Sequence, residues 1–272
     1  MTETAGVVAI TWPQLLLAAG FMVFVGVISL RLALGLEKDL AIATVRTYLQ
    51  LFVLGLVLRW VFGIDSPLLV LGLLLFMVAA AARTIIKRAP DAPAGLFGSS
   101  FISMALTGFI VTFAVTGLVV QVDPWYRAQY VIPIAGMVLG NSMTGIALAL
   151  ERTFADLDAR EGELLTLVAL GASPWEAAGP SVRTAIRAAL IPTINSMAAA
   201  GVVFIPGMMT GQILAGADPL AAAGYQIVVM LMVSAATALG SVLAVLLSYH
   251  RRFSADGVFI EKGLREEAVD AR

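Results

Sequence analysis

The sequence predicts an all-α polytopic membrane protein with seven transmembrane helices, and three observations carry that prediction. Of its 272 residues 60% are hydrophobic and 13% charged, whereas soluble domains run near 45–50% apolar and about 25% charged. The charges are bunched, so that the stretch 96–121 holds none. Apolar runs of about 20 residues, enough for a helix to cross a roughly 30 Å hydrocarbon core, recur along the chain.

Seven runs qualify: 12–32, 40–62, 67–86, 98–121, 128–150, 188–214 and 222–249. They are continuously apolar rather than alternating, which favours helices over barrel strands. Met1-Thr2-Glu3-Thr4 lacks the positive n-region of a secretory signal, so the first run is expected to stay as a span. With the N-terminus outside, fifteen of the 17 Lys and Arg residues fall on the cytoplasmic side, including Arg88, Arg160, Arg251, Arg252, Lys262, Arg265 and Arg272. Only Arg59 and Arg127 fall outside. That bias predicts N-out/C-in in an inner (plasma) membrane, multi-pass. Trp12, Trp60 and Trp125 fall at the outer ends of spans, where an amphipathic ring prefers to lie. The expected organisation is one transmembrane domain over 1–250, including a cytoplasmic loop 151–187, and a polar cytoplasmic tail 251–272.

Composition excludes several classes. A net charge of −1 gives no basic footprint for nucleic acid. The chain has no cysteine, and His250 is the single histidine, so thiol chemistry and multi-histidine metal clusters are absent. No Asp or Glu falls in the middle of a predicted span, which argues against a proton-driven carrier. The dipeptide Gly-Lys never occurs, so there is no phosphate-binding loop. Any ATP hydrolysis therefore belongs to another subunit.

The loop 151–187 reads as helix, corner, helix. Residues 155–170 place acids in their first half, as a helix dipole favours, and Gly171 fits the left-handed position that ends a helix. Ser173 as N-cap, Pro174 at the first helical position and Glu176 at the third form a capping box, with Trp175 beside it. Such a corner either packs on the membrane surface or docks into a groove of a soluble partner, for which an aromatic is a suitable anchor. Within the spans, hydroxyls such as Thr107, Thr112, Ser142 and Ser234 suit interhelical hydrogen bonds or close packing. Asn141 and Asn195 are better site candidates, since a buried amide must find partners. Pro133, Pro192 and Pro206 each remove a helix hydrogen bond, and Pro206-Gly207 before Met208-Met209 marks a break or kink. Methionines 137, 143, 197, 208 and 209 are either soft metal ligands or core filler.

The corner Leu170-Gly171-Ala172-Ser173-Pro174-Trp175 resembles the coupling loop by which ABC transporter permeases dock on their ATPase. It departs from the common importer pattern in Gly-to-Pro spacing, the next prolines being Pro180 and Pro192. A closer resemblance is to the FetB-like permease family of iron-export membrane subunits, whose plant relatives are linked to aluminium tolerance and nucleotide-sugar movement. It is carried by Gly140-Asn141-Ser142-Met143, Leu170 to Ser173, and Ile186 through Thr193. Pro206-Gly207-Met208-Met209-Thr210-Gly211, Ala215 through Pro219 and Tyr225-Gln226-Ile227 complete it. The first 130 residues are similar mainly in span pattern. The resemblance implies seven spans, N-out, with two copies of this chain and two of a separate ABC ATPase. No cofactor is expected on this chain, ATP and Mg being held by the partner. The expected function is an ATP-driven exporter permease for iron or another metal ion, itself no enzyme. Leu170, Gly171, Ala172, Ser173, Pro174, Trp175 and Glu176 would couple to the ATPase. Asn141, Asn195, Met208, Met209 and Gln212 would line a pathway at the dimer interface, and the metal ligands stay open. The alternative is an ATP-independent channel or facilitator for a neutral or cationic solute.

Overall fold

The computed structural model describes residues 10–64, 66–89, 92–93, 95–254 and 256–260. Met1–Thr4, Lys262, Arg265 and Arg272 lie outside the described residues. The described residues form nine α-helices and no strand, apart from isolated bridges at Ala200–Phe204 and Phe253–Phe259. They divide into two compact units, one drawn from Met1–Asp65 and Gly211–Asp218, the other from Ser66–Thr210 and Pro219–Arg272.

The first unit is built on an antiparallel hairpin of α1 (Trp12–Arg31) and α2 (Glu37–Val61). At one end the Tyr48 hydroxyl donates to the Leu15 carbonyl at 2.5 Å, and Trp12 stacks on Phe52 with ring centroids 4.9 Å apart. At the other, the Ser29 hydroxyl donates to the Glu37 carboxylate at 2.9 Å. Outward residues are large and apolar: Leu17 is 77% exposed and Phe21 73%. Such a surface is a liability in water and the expected solvent-facing surface in lipid.

The second unit holds α3 (Pro67–Arg88), α4 (Phe97–Ala114, continued by a π-turn at Val115–Val119), α5 (Ala128–Ala159), α6 (Glu161–Ala169), α7 (Pro174–Ala199) and α9 (Pro219–Leu246). The short α8 (Gly207–Leu214) lies between α7 and α9 in the chain. At 32 residues α5 is the longest helix, and it packs on α3, α4, α7 and α9. Its core face runs through Val131, Ala135, Val138, Ser142, Gly145, Ile146, Ala149 and Thr153, the three-and-four spacing of one helix side. Gly145 lets α9 approach closely: a Cβ there would collide with the Thr237 methyl group.

Several hydroxyls of the candidate spans turn back on their own helix, whereas those of Thr107, Thr112 and Ser142 are buried without a hydrogen-bond partner among the described residues. Thr44, Thr47, Thr116, Ser234 and Thr237 each donate to the carbonyl four residues earlier, at 2.7–3.0 Å. Interhelical bonds are few; Ser248 donates to Ser99 at 2.9 Å, and Ser234 also approaches the Met197 sulfur at 2.8 Å.

Among the described residues six helices are long and apolar enough to cross a membrane. The expected crossing over 188–214 is not one of them, because it is interrupted. Helix α7 ends at Ala199, Ala200 is extended, Gly201 takes φ +80°, and α8 begins only at Gly207. Pro206 has no N–H to donate and disfavours helical backbone at Ile205, while Gly201 enters the left-handed region without a Cβ clash. Pro133 and Pro192 stay inside continuous helices. The polar loop also differs from expectation: α5 runs on to Ala159, and the helix expected over 155–170 is divided at Arg160 (φ −103°, ψ 17°).

Replacing Gly145 by Ala is expected to cost about 1–3 kcal/mol by overpacking against Thr237, read as a lowered melting temperature in detergent. Gly140→Ala, whose new methyl meets open space, should leave the melting temperature unchanged or slightly raised.

Candidate functional site

The corner between α6 and α7 is closed by hydrogen bonds on both sides. Gly171 has φ +95°, and its N–H reaches the Val168 carbonyl at 2.9 Å while Ala172 N–H reaches Leu167 at 3.0 Å. This is a Schellman termination, which a Cβ-bearing residue at position 171 would strain. The next helix is capped at once. Ser173 Oγ accepts from the Glu176 N–H at 3.3 Å, and the Glu176 carboxylate accepts from the Ser173 N–H at 2.8 Å and its hydroxyl at 2.7 Å. Those bonds, the hydroxyl's first, hold the Glu176 carboxyl below its usual range.

Behind the corner, Arg160 forks onto Glu163 at 2.5 and 2.9 Å and donates to Ser181 Oγ at 2.6 Å. The hydrogen bond to Glu163 raises the guanidinium's pKa and lowers that of Glu163. The bend at Arg160 thus tethers the start of α6 to the first turns of α7. The buried side of the hairpin is Leu164, Ala177, Ala178 and Val182. At its tip two large apolar side chains stay outside beside the exposed Ser173 and Glu176: Leu170 is 80% exposed and Trp175 43%. Trp175 leans edge-on against Tyr249, ring centroids 5.6 Å apart, so Leu170 is the more exposed of the two.

A cavity of about 220 Å³ lies between α5, α7 and α9. Its polar wall is Asn141, Thr144, Thr193, Ser196 and Ser234, and Pro192 and Met230 are among its apolar lining. The Arg88 guanidinium donates to Thr144 at 3.2 Å. Asn141 spends one amide hydrogen on the Met137 carbonyl at 2.8 Å, one turn back. Among the described residues no three His, Cys, Asp or Glu side chains gather as a metal-binding group.

The candidates expected from sequence are therefore dispersed. Asn141 lines the cavity; Asn195, one residue before the lining Ser196, is exposed on α7. Met208 packs against the buried cluster of Val111, Val138, Val229 and Met232, as core filler does. Met209 offers its backbone N–H to Gln226 Oε1 at 3.3 Å, and Gln212 is half-buried on α8. Thr193 closes one of the stretches that carry the family resemblance, whereas Thr144 had no distinguishing sequence signal, being an ordinary span threonine. Arg252, expected on a polar tail, is fully buried: it pairs with Asp158 and lies over the Phe154 ring at 5.9 Å from its centroid.

Fold and site together define an α-helical, multi-pass membrane protein with a polar hairpin between two of its longer helices. The chain belongs to the family described as "Uncharacterised protein family (UPF0014)", whose model matches residues 12–253. It is 36% identical over 245 residues to "Probable iron export permease protein FetB" of Escherichia coli K12, covering 90% of this chain and 93% of that one. It is 37% identical over 220 residues to "UPF0014 membrane protein YjkA" of Bacillus subtilis, covering 81% and 86%. "UPF0014 membrane protein STAR2" of rice is 37% identical over 221 residues, covering 81% and 76%. The resemblance to FetB-like permeases is thus a family membership. No solved structure matches the chain.

Because the folded Glu176 carboxyl titrates below its ordinary value of 4.5, the capping box contributes fully above that pH and is lost as pH falls through the lowered value. Amide exchange at Glu176 and Ala177, corrected for intrinsic rate, should be level down to about pH 5 and accelerate below pH 4.5. Glu176→Gln should remove the pH dependence, because Gln keeps the box without titrating.

Proposed function

We propose that this chain is the membrane-spanning permease subunit of an ATP-driven ABC exporter in the inner membrane, paired with a second copy and with two copies of a separate ATPase. The observation that carries the reading is the corner. One helix is terminated and the next started within four residues, every bond of the turn is made locally, and the large apolar side chains of Leu170 and Trp175 are left to solvent. A rigid apolar tip on a polar hairpin suits insertion into a groove of a soluble partner. Leu170 and Trp175 are the inserted side chains and Gly171 sets the turn. The ATPase holds ATP and Mg, and this chain catalyses no reaction itself.

The interrupted segment supplies a seventh crossing. The part of α7 from 188 to 199 and the eight residues of α8 rise about 18 Å and about 12 Å, lengths that add to about the thickness of a hydrocarbon core. Irregular backbone at membrane depth is tolerated where protein covers it or a water-filled path runs beside it, which suits residues 200–206 to a pathway. Asn141 and Asn195 are its polar walls. Iron, or another metal ion, is the cargo suggested by the name of the Escherichia coli relative.

Three crossings, α3, α4 and α5, separate Ile64 from Leu170 and put them on opposite faces, Leu170 inside. The chain has no cysteine, so Ile64→Cys and Leu170→Cys can be labelled singly with an impermeant maleimide. Labelling of Ile64→Cys alone on intact cells is the expected result; labelling of both rejects the topology. A tagged chain in mild detergent should retain an ATPase, and Leu170→Asp or Gly171→Pro should weaken that retention about tenfold or more with insertion unchanged. Retention unaffected by both variants rejects the docking claim, and function without any ATPase favours a facilitator.

A further inference from the structure

The chain leaving α9 does not behave as a solvated tail. After Leu246 it forms a 3-10 turn at Tyr249–Arg252 and then a tight reversal in which Phe253 pairs with Phe259. The Ser254 N–H reaches the Val258 carbonyl at 2.7 Å and Ile260 N–H reaches Arg252 at 2.8 Å. Phe253 and Phe259 meet edge-on, 5.5 Å between centroids, and both are buried with Leu157, Leu164, Ala177 and Ala178. Those four residues come from the end of α5, from α6 and from the start of α7. Tyr249 touches Trp175 edge-on, and a methyl group built on Gly257 would touch Pro174 at 3.6 Å.

The centre of this contact is Arg252. Its side chain is fully buried, and its guanidinium meets the Asp158 carboxylate on the last turn of α5. Among the described residues neither group makes a further hydrogen bond. Replacing a buried ion pair by apolar groups often stabilises, whereas removing one partner leaves a charge stranded. A pair of this kind is a costly way to gain stability and an effective way to fix one arrangement.

We propose that residues 248–254 and 256–260 are a clasp that makes the α6–α7 corner and the end of α9 one rigid body, with Arg252–Asp158 as its lock. The clasp deepens the docking reading above and rests on it for its purpose. A push on Leu170 would then carry α9, whose Met230, Val233 and Ser234 line the cavity, instead of flexing the hairpin alone. Arg252 is in this account a positioning residue.

The test uses spin labels on the full chain in nanodiscs, at Thr166→Cys on the exposed side of α6 and at Leu246→Cys, with and without the ATPase. A narrow distance distribution is expected, unchanged by ATP and vanadate. Arg252→Gln should widen it at least about twofold at temperatures well below unfolding and let ATP shift it. Tyr249→Leu, which removes only the ring contact, should widen it less and serves if Arg252→Gln does not accumulate. A purely structural role would lower the melting temperature and leave the width alone. An unwidened distribution in both variants, or a broad one in the unmodified chain, overturns the clasp. Should no ATPase bind the unmodified chain, the docking reading fails while the widths measured on the chain alone still decide the clasp.

Discussion

Hydrocarbon offers a polypeptide backbone no hydrogen-bond partner, and this constraint organises the chain. It accounts for helices that run unbroken through every apolar stretch but one. It also accounts for hydroxyls such as those of Thr44, Thr116 and Thr237, which bond to their own helix four residues back. Segment 200–206 is where the constraint is relaxed, with Gly201, Pro206 and four consecutive apolar residues between them. Val202 at 86% and Val203 at 79% exposed cover no core in a single chain.

Apolar side chains gain little by leaving lipid for one another, so helices in a bilayer hold together through close van der Waals fit. Helix α5 supplies that fit. Gly145 admits α9, and Val131, Val138 and Ala149 lie against the neighbouring helices with essentially no exposure. The same helix continues beyond its apolar part, so that Phe154, Leu157 and Asp158 become the floor on which α6, α7 and the C-terminal reversal are laid. The packing in the apolar layer and the geometry of the polar hairpin therefore share one element.

Helix α7 connects the two features of greatest functional interest. It begins at the capping box of Ser173 and Glu176 and, about 27 Å along its axis, contributes Pro192, Thr193 and Ser196 near the cavity. In the proposed transporter a displacement of the corner is therefore felt at the cavity through a continuous helix. The Schellman turn and capping box matter to that reading because a lever needs a stiff handle.

Local chemistry was legible in the residue string wherever the deciding interaction was itself local. The corner is the clearest case: Gly171 entering the left-handed region, Ser173 and Glu176 exchanging bonds, and Pro174 starting the helix all involve neighbours five residues apart or fewer. The positions of the apolar helices were legible for the same reason, since burial in lipid depends on composition and not on partners. The break after Ala199 was half legible, for Pro206 signalled it, but its start at Ala200 and Gly201 depended on backbone geometry. The bend at Arg160 and the fate of Arg252 were decided by tertiary structure. Arg160 turns because Glu163 and Ser181 receive it, and Arg252 is buried because Asp158 and Phe154, about a hundred residues earlier, wait for it. Which of many span threonines would face a cavity was likewise settled only when α5, α7 and α9 came together. Sequence alone determined helices, caps and the membrane class, because these answer to near neighbours and solvent; the tertiary structure chose the long-range pairs, because any one of several arginines had the chemistry to make them.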